Sequence, residues 1–89
     1  MIELPIDGVL DLHAFRPRDV KELVPDYLRE CRIRGILEVR IIHGKGTGTL
    51  REIVHGVLRG LPEVESFRLA AGDGGGWGAT LVTLLSREE

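Results

Sequence analysis

Eighty-nine residues, 43% hydrophobic and 29% charged, are expected to form a single soluble domain spanning 1–89, with its core over about 8–85. The Leu, Ile and Val content excludes a disordered chain, and no apolar run approaches the roughly 20 residues of a membrane helix. A net charge of −2 excludes a protein that coats DNA through bulk positive charge, so any contact with nucleic acid has to come from a local cluster.

The opening MIELPIDG has neither the basic nor the apolar region of a secretion signal. The lone Cys31 cannot form an internal disulfide, and a reducing, cytoplasmic setting is expected. Asp7-Gly8 suits a tight turn. Residues 9–13 then read as a short strand, with Leu10 and Leu12 on one face and Asp11 and His13 on the other. Arg16-Pro17-Arg18-Asp19 opens a helix, because proline is tolerated in the first turn and an acidic residue suits its positive end. Val20, Leu23, Val24, Tyr27, Leu28 and Cys31 share one helical face, which makes Cys31 core filler rather than a reactive thiol. Pro25 is expected to kink or restart this helix, and Gly35 to stop it.

Residues 37–43 make a β-rich strand, apolar on both sides and therefore central to the sheet. A glycine loop over 44–48 follows, and Thr49-Leu50-Arg51-Glu52 matches a capping box that starts a second helix. Its buried stripe is Leu50, Ile53, Val54, Val57, Leu58 and Leu61. A third strand is expected over 64–69, an exposed glycine loop over 72–78, and a last strand over 79–85. The order β-α-β-α-β-β makes the first two strands parallel and brings their ends, at His13 and His43, to one edge of the sheet. Open α/β sheets bind ligands at that carboxyl edge.

Three segments with chemical potential meet there. Asp11 and His13 point the same way from their strand. Gly44, Lys45, Gly46, Thr47 and Gly48 lead into a helix N-terminus, whose free N–H groups and dipole suit a phosphate. Lys45 and Arg51 add charge, and Arg16 and Arg18 add more if the first loop folds back over the same edge. Imidazoles beside a held phosphate can exchange protons near neutral pH. Taken singly, each histidine is more readily a satisfied strand-end residue; the constellation reverses that weighting. His55 lies off the apolar stripe and is expected in solvent, while Trp77 suits either base stacking or closure of the core. The spacing fits neither a P-loop nor a dinucleotide fingerprint, so no nucleotide cofactor is expected. No zinc pattern exists with one cysteine. Asp11 and His13 alone would leave most of a metal's coordination to water and substrate, so no protein metal site is expected, and a divalent ion, Mg or Mn, is left open.

Leu10-Asp11-Leu12-His13 resembles the LDLH motif of Smr (small MutS-related) domains. Ile41-Ile42-His43-Gly44-Lys45-Gly46-Thr47-Gly48, with Leu50-Arg51, resembles their HGKGTG segment, and Gly75-Gly76-Trp77-Gly78-Ala79-Thr80 their GGxGAT strand entry. The resemblance implies a two-layer α/β sandwich with a mixed sheet, similar to the C-terminal domain of translation initiation factor three. It also implies an endonuclease that nicks DNA or cleaves structured RNA, with a role in DNA repair. Asp11, His13 and His43 would be catalytic, and the glycine loop would bind phosphate. One departure is Ala14, where family members often carry glycine after LDLH; alanine disfavours positive φ, so the turn is expected to differ. The rival reading is a non-catalytic module that grips nucleic acid or the ribosome through the same cradle. A pure protein-interaction domain is a third.

Overall fold

The computed structural model describes residues 4–70 and 78–87. The expected glycine loop over 72–78 lies outside them apart from Gly78, and so does Trp77. Six elements follow in the expected order: strand β1 (Val9–Asp11), helix α1 (Pro17–Ile33), strand β2 (Glu38–Ile42), helix α2 (Thr49–Arg59), and strands β3 (Val64–Leu69) and β4 (Ala79–Leu84). The sheet runs β1-β2-β4-β3. β1 and β2 are parallel, as their helical connection requires, and β4 is antiparallel to both of its neighbours. The start of β4 therefore lies beside the ends of β1 and β2, with Asp11, Ile42 and Ala79 on one rung.

Strand alternation divides the sheet into two unlike faces. Leu10, Val39, Ile41, Val82 and Leu84 turn inward, against Val20, Val24, Leu28 and Cys31 of α1 and Val54 and Leu58 of α2. Both helices cover this one face, giving two layers around a single core. Val9, Asp11, Glu38, Ser66 and Arg68 are exposed on the other face. Cys31 is buried within the core, and burial pushes its thiol pKa up, as suits an inert residue.

Two local expectations are corrected. Helix α1 neither stops nor restarts at Pro25; it runs unbroken to Ile33. The carbonyl that proline leaves without a partner belongs to Lys21, an exposed residue, so water can satisfy it. The capping box at Thr49 does not form, because Thr49 is already helical and Gly48, at φ 90°, is the N-cap. The Thr47 hydroxyl instead lies 2.9 Å from that of Thr49 and accepts its N–H at 3.4 Å.

The turn into β1 is held by a side chain of α1. The Tyr27 hydroxyl, buried on the helix, accepts the Gly8 N–H at 3.1 Å and donates to the Val9 carbonyl at 3.1 Å. Gly8 itself sits at φ 94°, and an added Cβ would press on Ile36 and the Glu38 carbonyl at 3.2 and 3.3 Å. Tyr27→Phe is expected to leave that amide buried without a partner and to lower unfolding free energy by about 1–3 kcal/mol. Urea denaturation of the two proteins measures it.

Candidate nucleic-acid site

Asp11 ends β1 on the uncovered face of the sheet, and the chain then turns over residues 12–15. The Leu12 N–H still bonds the Ile42 carbonyl at 2.9 Å, so the ladder persists one residue past the strand. The turn closes by Phe15 N–H to Leu12 O at 3.0 Å. No described residue other than glycine has positive φ, so Ala14 makes this turn without the conformation that favours glycine. Phe15 packs on the core and anchors it.

Within this turn one carboxylate oxygen of Asp11 accepts twice from His13, from the backbone N–H at 3.0 Å and from Nδ1 at 2.8 Å. These two bonds, chiefly the backbone one, hold the Asp11 pKa below its ordinary value of 3.8. An ionised carboxylate at Nδ1 sets the tautomer: Nδ1 carries the hydrogen and Nε2 is left as acceptor. The His13 side chain is 82% exposed, so that nitrogen faces whatever approaches the edge.

The second segment is built around one carbonyl. Gly78 O accepts the His43 N–H at 2.9 Å and the Gly44 N–H at 2.8 Å, which ties the end of β2 to the entry of β4. Gly44 turns at φ 84°, and a Cβ on Gly78 would meet the Lys45 side chain and Gly44 backbone at 3.5 and 3.6 Å. The amides of His43 and Gly44 are thus spoken for, and the cradle expected over 44–48 is reduced to those of Lys45, Gly46, Thr47 and Gly48. The first turn of α2 adds more, since the Glu52 N–H to Gly48 O bond, 2.9 Å, is the helix's first. Arg51 lies over this turn, and its guanidinium would stand 2.7 Å from a Cβ on Gly48. Lys45 is exposed. Arg16 is the N-cap of α1 and Arg18 sits in its first turn, both exposed at the same edge.

The structure does not bring the two expected catalytic histidines together. Asp11 pairs with Ile42 in the parallel register, so His43, one residue on, emerges on the opposite face, under α2. His43 is buried, 7% exposed. Its Nε2 meets Thr80 Oγ1 at 2.8 Å, and its Nδ1 lies 3.1 Å from the Gly44 carbonyl. Burial, with Arg51 adding to it, lowers its pKa despite the Gly44 bond, so the ring is neutral at physiological pH.

His55 is not the solvated residue its place on α2 suggests. Its Nε2 lies 2.8 Å from the same Thr80 hydroxyl, and its ring packs on Phe67 with centroids 4.9 Å apart. Burial first, then the neighbouring His43, depresses its pKa. The available signal was Thr80, a polar residue on the inward register of β4 between Ile41 and Leu69, which had to find a partner. Among the described residues no group of three or more His, Cys, Asp or Glu is placed to hold a metal ion.

Comparison with known proteins agrees with this architecture. Residues 10–85 match the family described as the Smr domain. The chain is 40% identical over 81 residues to the endonuclease MutS2 of Halothermothrix orenii and 41% identical over 76 residues to that of Solidesulfovibrio magneticus. The matches cover 91% and 85% of the chain, which spans about a tenth (10%) of the length of these relatives. Among solved structures, the Smr domain of Thermus thermophilus MutS2 superposes with a TM-score of 0.83 at 37% identity, covering 89% of this chain and 99% of that one. YdaL, a stand-alone small MutS-related protein from Escherichia coli, superposes at 0.81 with 27% identity, covering 90% of this chain and 66% of that one.

The paired imidazoles give stability a pH dependence of definite sign. Both folded pKa values lie below the ordinary 6.5, so the unfolded chain binds protons first. Their contribution is fully present above about pH 6.5 and is lost as pH falls through the folded values. The melting temperature is expected to drop between pH 7.5 and 5, and His55→Gln to flatten that slope. Thermal melts of both proteins across this range check it.

Proposed function

The chain belongs to the Smr domain family, and from that premise we propose that it binds nucleic acid at the carboxyl edge of its sheet and cleaves one phosphodiester strand there. The observation that carries this reading is the oriented Asp11–His13 pair, its Nε2 exposed at the same edge as the 44–48 turn. Lys45, Arg51 and the amides of 45–48 would hold the scissile phosphate and stabilise the charge it gains as a fifth oxygen adds. His13 Nε2 would take the proton of the attacking oxygen, water on DNA or a 2′-hydroxyl on RNA, and return it to the leaving oxygen. Asp11 would keep the ring in that tautomer and stabilise the imidazolium. Arg16 and Arg18 would take flanking phosphates. His43 has no nitrogen to offer the substrate, so we assign it to shaping the turn rather than to proton transfer.

The MutS2 relatives are named endonucleases, which supports a nucleolytic reading over a pure protein-interaction domain. Supercoiled plasmid and structured RNA are the substrates to test. His13→Ala is expected to lower kcat by about 10²–10⁴-fold with binding retained, the usual share of a general acid–base group. Lys45→Ala is expected to act mainly on KM. Retained binding without cleavage on either substrate would establish a binding module instead, and full activity in His13→Ala would remove the mechanism. A cyclic phosphate on the product would identify the 2′-hydroxyl route.

A further inference from the structure

The buried hydroxyl of Thr80 is shared by two imidazoles, and its single proton can serve only one of them. Thr80 Oγ1 lies 2.8 Å from His43 Nε2 and 2.8 Å from His55 Nε2. The direction of the chain follows from its far end. The Gly44 carbonyl beside His43 Nδ1, at 3.1 Å, can only accept, so Nδ1 carries the hydrogen. A neutral His43 then has a bare Nε2, which accepts the Thr80 O–H. The Thr80 oxygen in turn accepts Nε2–H from His55. Every link is satisfied in this one polarity, and no buried side-chain nitrogen or oxygen among the described residues is left without a partner.

We propose that His55 is a positioning residue for the phosphate-binding turn: by donating to Thr80 it keeps that hydroxyl turned toward His43 and reinforces the tautomer with which His43 holds the carbonyl of Gly44. This rests on the reading of the 44–48 turn as the phosphate cradle. Gly44 is where the chain leaves β2 at positive φ, so the peptide that His43 holds sets the direction of the amides that follow. His55 is itself held by a tilted ring contact with Phe67 of β3 and by a perpendicular contact with the His43 ring, centroids 6.1 Å apart.

The polarity also orders the two titrations. A proton added to His55 goes to Nδ1 and leaves the chain intact. A proton added to His43 must go to Nε2, which reverses Thr80 and takes from His55 its donor hydrogen. Among the described residues the charged groups around the pair are Arg51, Glu52 and Arg59 of α2; Phe67 and Thr80, which face it from β3 and β4, carry no charge. Two arginines against one carboxylate discourage a second positive charge in this pocket. His55 is therefore expected to take the first proton, and His43 to follow at lower pH.

Tautomer-sensitive proton–nitrogen NMR spectra of the whole chain test this without any substrate. At pH 7.5, hydrogens are expected on His43 Nδ1 and His55 Nε2, and on acidification His55 titrates first. His55→Leu is expected to give His43 a mixture of tautomers, to shift the Gly44 and Lys45 amides, and to weaken binding of a short single-stranded DNA oligonucleotide on the order of fivefold. His55→Gln, which offers an N–H from near the same place, restores both. Thr80→Val has the same effect as His55→Leu, and the double variant loses no more than Thr80→Val alone. An unchanged His43 tautomer in His55→Leu, or losses that simply add, overturns the hydrogen-bond chain. Spectra that respond while oligonucleotide affinity does not change overturn the phosphate role of the turn, and the positioning role with it.

Discussion

One carbonyl group, that of Gly78, makes the candidate site a single object. It accepts from two successive amides, His43 and Gly44, and so fastens the turn after β2 to the residue just before the strand that pairs with it. Without this anchor the glycine-rich turn would be a free connection, and its amides would point in no fixed direction. A Cβ at 78 would lie at ordinary contact distance from Lys45 and Gly44, whereas glycine at 44 is called for by positive φ. The HGKG segment and the Gly78-Ala79-Thr80 stretch, far apart in the chain, are two halves of one joint.

The third segment attaches by the parallel ladder, whose last bond runs from Leu12 N–H to Ile42 O. Beyond it the two chains diverge toward opposite faces of the sheet. His13 lies on the solvent side, oriented by Asp11, with a nitrogen to spare. His43 lies on the helix side, with both nitrogens engaged. The same edge therefore holds an exposed imidazole and a buried one, set apart by register rather than by residue type.

Much of this was legible in the sequence. Periodicity found the elements and their order, because each strand and helix shows its buried residues locally. The alternation of Leu10, Asp11, Leu12 and His13 put Asp11 and His13 on the exposed side, where the structure has them. Sheet register was not legible. Whether His43 shares a face with His13 depends on Asp11 pairing with Ile42 rather than with Ile41 or His43, a one-residue choice that flips every side chain. His55 was misplaced for a similar reason, since its partner Thr80 lies 25 residues away on another element. The capping box was misread by one position. Gly48 can adopt left-handed φ and take the cap itself, which pushes Thr49 into the helix.

The electrostatic balance fits the geometry of a site confined to an edge. A net charge of −2 supplies no field to draw nucleic acid to the domain from a distance. What the fold supplies is local: Lys45 and Arg51 at one turn, Arg16 and Arg18 at the start of α1, and helix N-termini on the same side. Such an arrangement discriminates by shape, since a phosphate must sit against the turn to gain these contacts, and a strand that merely passes nearby gains little once salt screens it over about 10 Å. Weak general attraction together with the proposed phosphate seat is the combination expected of a domain whose affinity is set by where a strand is presented to it. On that reading a buried His43 serves the same end, because a neutral ring would keep the seat's shape without adding a charge that would bind nucleic acid anywhere else.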